Sequence, residues 1–349
     1  MIAPERPVCV VYPVFESQAN YSKDLIEFIP IKVPQSKRVF PRWYSFCKKV
    51  SRMLKESNVS YVFAMDLYSL LPSSLKKQKK QYKLFYDSRE IYSALGTLHK
   101  NPIKQLILSI IERFLVNNVD EFIVSGSLDA EYLSKHFNTK KPFNVIMNVP
   151  FYRKIEKSNK IRETLNLADD VNIIIYQGMI FEGRGIKKII ESLQFLEKTV
   201  FCIFGEGHID EVIYKTADKY NVRSKVFYMG IKTYDELLDW TSSADMGVVF
   251  IRPISFSYRL ALPNKLFEYC MAGIPSLVTD LPAMKKIIDE YHIGKLISHK
   301  ANSIEIADAI RQILENKDDY KINCEIASQK LCYDLQIDRI LNMINIKRE

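Results

Sequence analysis

Short apolar runs alternate with helical patterns along this chain, and the alternation starts over once, after Asn148-Val149-Pro150. Before that break, strands are expected at Val8–Tyr12, Tyr61–Ala64, Leu84–Tyr86, Phe122–Ser125 and Asn144–Met147, with helices near 42–57, 102–117 and 127–137. A polar stretch from Arg153 to Arg162 reads as a linker. Strands then follow at Asn172–Gln177, Val200–Phe204, Lys225–Tyr228, Met246–Phe250, Ser276–Thr279 and Lys295–Ile297. Helices read near 185–197, 208–220, 233–242, 263–272, 282–290 and 302–315, with final helical stretches over about 318–346. Such alternation calls for a parallel sheet covered on both faces.

The expected fold is therefore α/β with two Rossmann-like parallel-sheet domains, and 349 residues suit two domains of ordinary size. Residues 1–149 form the first, with the C-terminal helix of about 331–349 packing back on it, and residues 150–330 form the second. Ligands of open α/β sheets bind beyond the carboxyl ends of strands, so the site is expected in post-strand loops facing the cleft between the domains.

Charge divides unevenly. Residues 1–150 hold 22 Lys and Arg against 13 Asp and Glu, whereas the remainder holds 28 of each. The basic half fits an anionic partner or a solubilising surface. Lys37 to Lys55 mixes cations with aromatics and has two readings: a basic amphipathic helix on an anionic membrane, or a helix covering the sheet with Trp43 and Phe46 inward. The six cysteines form no CxxC pair and the five histidines no metal-binding spacing, so reduced cysteines and no metal site are expected. The opening MIAPERPVCVVYP lacks a signal-peptide pattern. Ile103 to Val116 is interrupted by Lys104, Gln105, Glu112 and Arg113 and reads as an amphipathic helix, not a span. A cytoplasmic location is expected, with the inner face of the membrane as one setting for the basic half.

The segment Tyr258 to Pro282 is the richest in chemistry. Pro263 suits a first helical turn, Gly273 the left-handed position after the last, and Pro275 blocks continuation. Leu266, Phe267, Cys270 and Met271 fall on a core-facing side, and Asn264, Lys265, Glu268 and Ala272 on the opposite arc. A lysine at a helix N-terminus opposes the dipole, which makes sense beside a bound anion. The plain alternative is a solvated polar face.

The order Pro263, Asn264, Lys265, Phe267, Glu268, Ala272, Gly273, Pro275, Asp280, Pro282 closely resembles the signature of the family 4 (group 1) retaining glycosyltransferases, of GT-B fold. Gln177-Gly178 with Glu182-Gly183-Arg184-Gly185, then Phe204-Gly205-Glu206-Gly207, then Phe227-Tyr228-Met229-Gly230-Ile231, resemble that family's further loops in order. The resemblance implies a nucleoside-diphosphate donor, UDP- or GDP-linked, bound by Gly178, Gly205, Gly207, Ile231, Asn264 and Glu268, with Glu268 on the ribose. It implies that Arg184 and Lys265 neutralise the donor phosphates, with no cofactor and no metal required. Two positions depart: Met179 stands where many relatives have arginine, and Leu260 where many have an acidic residue. In the first half, Tyr86-Asp87-Ser88-Arg89-Glu90 resembles the family's acidic motif, which implies that Asp87 or Glu90 contacts the acceptor or the transferred sugar, and Glu90 joins the catalytic candidates. Its alternative is an ion pair with Arg89, with Asp87 as a cap.

The expected activity is transfer of a sugar, with retention, to a glycan or lipid-linked acceptor in surface polysaccharide or glycolipid assembly. A non-catalytic nucleotide-binding partner of another transferase is the rival, kept open by Met179 and Leu260. A nucleic-acid module has only the charge in its favour, and a sugar-nucleotide epimerase would need no acceptor. No GxGxxG occurs, which counts against a dinucleotide enzyme.

Overall fold

The structure is a computed structural model that describes residues 8–15, 21–23, 26–77, 81–94 and 101–345. The chain forms two compact units, residues 1–147 with 336–349, and residues 148–335.

The first unit opens with β1 (Val8–Val14), β2 (Tyr21–Lys23) and β3 (Ile26–Lys32), a sheet of order β1-β3-β2. β1 and β3 are parallel but β2 and β3 are antiparallel, so this sheet departs from the all-parallel expectation. Neither β2 nor β3 was expected from the sequence; in β3, Pro30 argues against a strand. Pairing with β2 stops at Phe28, so the missing N–H of Pro30 leaves no β2 bond unmade. α1 (Val39–Glu56) packs Phe46 against Ile31 and Val33, and its Lys49 Nζ donates to the Lys32 carbonyl at 2.7 Å. After β4 (Tyr61–Met65) comes α2 (Leu67–Lys77), also missed, since Pro72 lies inside it. Proline leaves the carbonyl four residues back without its helical donor. That carbonyl, Tyr68 O, accepts from Trp43 Nε1 of α1 at 3.0 Å instead.

β5 (Lys83–Ser88), α3 (Pro102–Leu115), β6 (Glu121–Val124), α4 (Ser127–Phe137) and β7 (Phe143–Val145) follow. The sheet β4-β5-β6-β7 is parallel, and Leu84, Tyr86, Leu115 and Phe122 share its core.

The second unit contains α5 (Lys160–Leu165), β8 (Asn172–Gln177), α6 (Ile186–Ser192), β9 (Thr199–Phe204), a π-helical turn at Asp210–Tyr214, and α7 (Lys215–Lys219). It continues through β10 (Val226–Gly230), α8 (Tyr234–Ser242), β11 (Met246–Val249), α9 (Phe256–Arg259) and α10 (Asn264–Met271). β12 (Ser276–Thr279), α11 (Pro282–Tyr291), β13 (Gly294–Ile297), α12 (Ser303–Glu315) and α13 (Lys317–Lys330) complete it. All six strands pair in parallel, in the order β10-β9-β8-β11-β12-β13. The chain moves outward first on one side of β8 and then on the other. The topological switch therefore falls between β8 and β11, where such sheets bind ligands beyond the strand ends. The chain then returns to the first unit as α14 (Ile337–Met343), where Gln336 Oε1 accepts from Met147 N at 2.7 Å.

Candidate functional site

β8 ends at Gln177, and the loop that follows lies against the loop after β9. Gly178 N donates to Phe204 O at 3.0 Å, Ile180 N to Glu206 O at 2.7 Å, and His208 N to Ile180 O at 2.7 Å. A Cβ on Gly205 would stand 1.9 Å from Gly178 O, and one on Gly207 would stand 2.1 Å from Ile180 O. Both residues also have φ beyond +120° (Gly205 +130°, Gly207 +141°). These glycines let the two loop backbones touch where a side chain would clash.

α10 starts in the loop region between β11 and β12. Its bounds refine the expectation: Pro263 is the extended N-cap and Asn264 the first helical residue. At its other end Gly273 N donates to Cys270 O and Ile274 N to Tyr269 O, both at 3.0 Å, closing a Schellman motif around Gly273 at φ +73°. Leu266, Phe267, Cys270 and Met271 are buried as expected. Ala272, placed on the polar arc by spacing, is instead buried with Leu238, Met271 and Cys332. The helix has already ended there, so the wheel no longer applies.

The remaining polar arc is not a simple solvated face. Lys265 Nζ lies 3.7 Å from the centroid of the Tyr176 ring, and a Cβ on Gly178 would be 3.2 Å from it. Burial and the nearby Arg184 lower the Lys265 ammonium to about 7, with Glu268 acting the other way. Glu268, one turn on, accepts from Gln177 Nε2, whose Oε1 accepts from Thr241 Oγ1 at 2.8 Å. Burial raises the Glu268 carboxyl, against the bond from Gln177 and the charge of Lys265. Beneath this chain, Gln177 N donates to Tyr269 Oη at 3.2 Å. Thr241, Tyr176 and Tyr269 were not singled out from the sequence, and Gln177 entered only as part of the Gln177-Gly178 motif, with no role of its own. The one available signal was Gln177's place at the carboxyl end of β8.

Arg184 stands in the loop after β8, its guanidinium 4.8 Å from the Phe181 ring centroid and 5.3 Å from that of Tyr258. Its Nε is buried and has no partner among the described residues. Gly178 and Arg184 in the loop after β8, Gly205 and Gly207 in the loop after β9, and Lys265 and Glu268 on α10 thus lie beside the switch point. Asn264 accepts from Asn148 Nδ2 at 2.8 Å, and Ile231 is exposed just beyond β10. Met179 is also exposed, and Leu260 caps α9.

Glu90 lies in the first unit, beyond β5, where its carbonyl accepts from Ser88 Oγ at 3.0 Å. The ion pair of Arg89 Nε here is with the buried Asp87, at 2.6 Å. Asp87 therefore pairs with Arg89, a role the sequence reading had offered to Glu90.

Residues 157–330 match the family model of glycosyl transferases group 1. They form a group 1 glycosyl transferase domain. The chain is 28% identical over 121 residues to WcaI of Escherichia coli K12, which bears the name of a colanic acid biosynthesis glycosyl transferase. That match takes in 34% of this chain and 29% of WcaI, so it spans less than a third of the relative. The sucrose-phosphate synthase of Thermosynechococcus elongatus has a similar structure, with TM-score 0.79 and 14% identity over 97% of this chain and 88% of that one. HepE of Anabaena, solved in complex with UDP, gives TM-score 0.73 and 13% identity over 92% and 86%. These likenesses establish the GT-B fold, and all the switch-point residues fall inside the group 1 domain.

Proposed function

We propose that the chain is a retaining glycosyltransferase that takes a sugar from a nucleoside-diphosphate donor and gives it to a glycan or lipid-linked acceptor. The observation that carries this reading is the placement of two cations beyond β8, Lys265 against the Tyr176 ring and Arg184 with its buried Nε lacking a partner among the described residues. A bound anion beside them favours their charged forms. A pyrophosphate placed over the α10 N-terminus supplies it.

In this reading Arg184 and Lys265 stabilise charge as it develops on the leaving diphosphate, so no metal is needed for that task. Glu268, oriented by Gln177 and Thr241, holds the ribose hydroxyls. Gly178 and Ile231 border the donor, Asn264 shapes the helix entrance, and Glu90 meets the acceptor or sugar. HepE was solved with UDP, which favours UDP as the first nucleotide to try. The name of WcaI favours surface polysaccharide assembly as the setting.

Incubating the purified protein with UDP-, GDP- and ADP-sugars and extracted glycan or glycolipid acceptors tests this. Acceptor-dependent release of one nucleoside diphosphate, with the anomeric configuration kept in the product, is expected. A second reading, a nucleotide-binding partner without catalysis, is favoured by Met179 and Leu260 at positions where many relatives carry charge. It predicts nucleotide binding with no turnover of any donor.

A further inference from the structure

The segment Ile103 to Val116, read from the sequence as an amphipathic helix, packs one apolar side inward and presents a second apolar stripe outward. On α3, Ile103, Leu106, Ile107, Ile110 and Phe114 are each 50–70% exposed. Large apolar side chains on a surface are unremarkable when scattered, but five on one helix form a patch that calls for a covering partner. At about 100° per residue, Leu106, Ile110, Ile103, Phe114 and Ile107 fall in that order across an arc of about 100°. The stripe runs for about 16 Å along the axis at 1.5 Å per residue.

The opposite side already packs inward. Leu115 is buried, Leu108 and Ile111 lie against the core, and Ser109 Oγ meets His136 Nε2 at 3.1 Å. The two cations of the helix flank the stripe, Lys104 on one side and Arg113 on the other, and both are exposed. The single acidic residue of α3, Glu112, is 1% exposed and accepts from Tyr86 Oη at 2.6 Å. The outward surface of α3 is thus apolar in the middle, cationic at both margins and free of carboxylates.

We infer that α3 is a membrane-docking face, lying in the plane of an anionic bilayer with its stripe at the acyl boundary and Lys104 and Arg113 at the lipid phosphates. A helix with this charge pattern and this length lies on a membrane; it does not span one. Among the described residues no helix is long and apolar enough to cross a membrane. Long basic side chains beside an apolar face reach outward to headgroups. The excess of Lys and Arg in residues 1–150, 22 against 13 Asp and Glu, adds long-range attraction of the same sign. A second copy of the chain fits less well. Pairing two stripes would bring Lys104 and Arg113 of both copies together with no carboxylate on α3 to receive them. α1, the basic segment that the sequence offered for this task, turns Phe46 and Cys47 inward and uses Trp43 and Lys49 in bonds within the unit.

The test is flotation of the full chain with phosphatidylcholine vesicles, with and without phosphatidylglycerol. Wild type is compared with Ile107→Gln/Ile110→Gln and with Lys104→Glu/Arg113→Glu, and circular dichroism and the unfolding midpoint check that each variant is folded. Glutamine keeps helix propensity, and all four positions are exposed, so folding is expected to survive. Binding to the anionic vesicles is expected for wild type, weakened by added salt and by about tenfold or more in each double variant. Phe114→Trp should fluoresce to the blue on those vesicles and be quenched by brominated acyl chains. Wild type that ignores anionic vesicles, or folded variants that bind as wild type does, overturns the inference. So does a concentration-dependent dimer that Ile107→Gln/Ile110→Gln dissolves, since a second copy then covers the stripe. Neither result touches the donor reading, which concerns the other unit.

Discussion

The ammonium of Lys265 rests 3.7 Å from the centre of the Tyr176 ring, at the α10 N-terminus where the helix dipole offers it no favour. A cation–π contact compensates part of its lost hydration. What remains is a lysine held ready for an anion.

Its stability signature has a definite sign. Burial and Arg184 bring Lys265 from 10.5 to about 7. Between those values the unfolded chain keeps a proton that the folded protein has released, so stability rises with pH across the window. Below it the folded state bears the full cost of the desolvated ammonium. Without ligand, Lys265→Met should be more stable than wild type by about 2–4 kcal/mol near pH ~6, with the gain vanishing towards pH ~10.5. Urea unfolding at several pH values measures this, and a gain independent of pH contradicts it. Nucleotide binding should reverse the shift, so titration calorimetry in buffers of different ionisation enthalpy should show proton uptake near pH ~8 in wild type but not in Lys265→Met.

Gly205→Ala should be severe. Its methyl would sit 1.9 Å from Gly178 O, backbone against methyl, at a φ of +130°. Neither strand end can retreat without breaking the bond from Gly178 N to Phe204 O. A loss of about 3 kcal/mol or more is expected, read as a lower unfolding midpoint and weaker nucleotide binding. Gly273→Ala meets nothing within 4 Å and should be milder, limited to the strain of its φ of +73°.

In the first unit, burial raises Glu112 from 4.5 to about 7 while Tyr86 donates to it. Between those values the folded protein holds a proton that the unfolded chain has given up. The stabilisation is therefore complete at low pH and disappears as pH rises through about 7. Glu112→Gln keeps an acceptor for Tyr86 and should exceed wild-type stability by about 1–3 kcal/mol near pH ~8, with near equality at pH ~4. A constant difference at both pH values would show that Glu112 ionises normally.

Most of the second unit was legible because its strands are short apolar runs and several of its helices carry a start signal, such as Thr233 with Glu236 or Asn302 with Glu305; the short α5 and α9 were missed, α5 beginning inside the stretch read as a linker. The first unit was less so where proline misleads. Pro30 and Pro72 each argue against their element, and each is tolerated for its own reason: β2 pairing ends at Phe28, before Pro30, and Trp43 donates to the Tyr68 carbonyl that Pro72 leaves without its helical donor. At the site, spacing found Lys265, Glu268 and the glycines. It passed over Thr241 and gave Gln177 no role beyond the Gln177-Gly178 motif, because their contribution is a chain of hydrogen bonds between β8, α8 and α10 that has no counterpart in sequence distance. The outward stripe of α3 escaped for a related reason. Periodicity identifies an amphipathic helix but does not say which face the core takes.

The central claim is that α10 and the β8 loop hold a nucleoside diphosphate, and ligand-induced thermal stabilisation tests it most directly. Wild type and Glu268→Ala are melted with UDP, GDP and ADP at millimolar concentration. One nucleotide should stabilise wild type, by about 2.7 kcal/mol where its concentration is ~100 times its dissociation constant, and Glu268→Ala should lose most of that gain. No stabilisation by any of the three, or equal stabilisation of wild type and Glu268→Ala, would contradict the site described here.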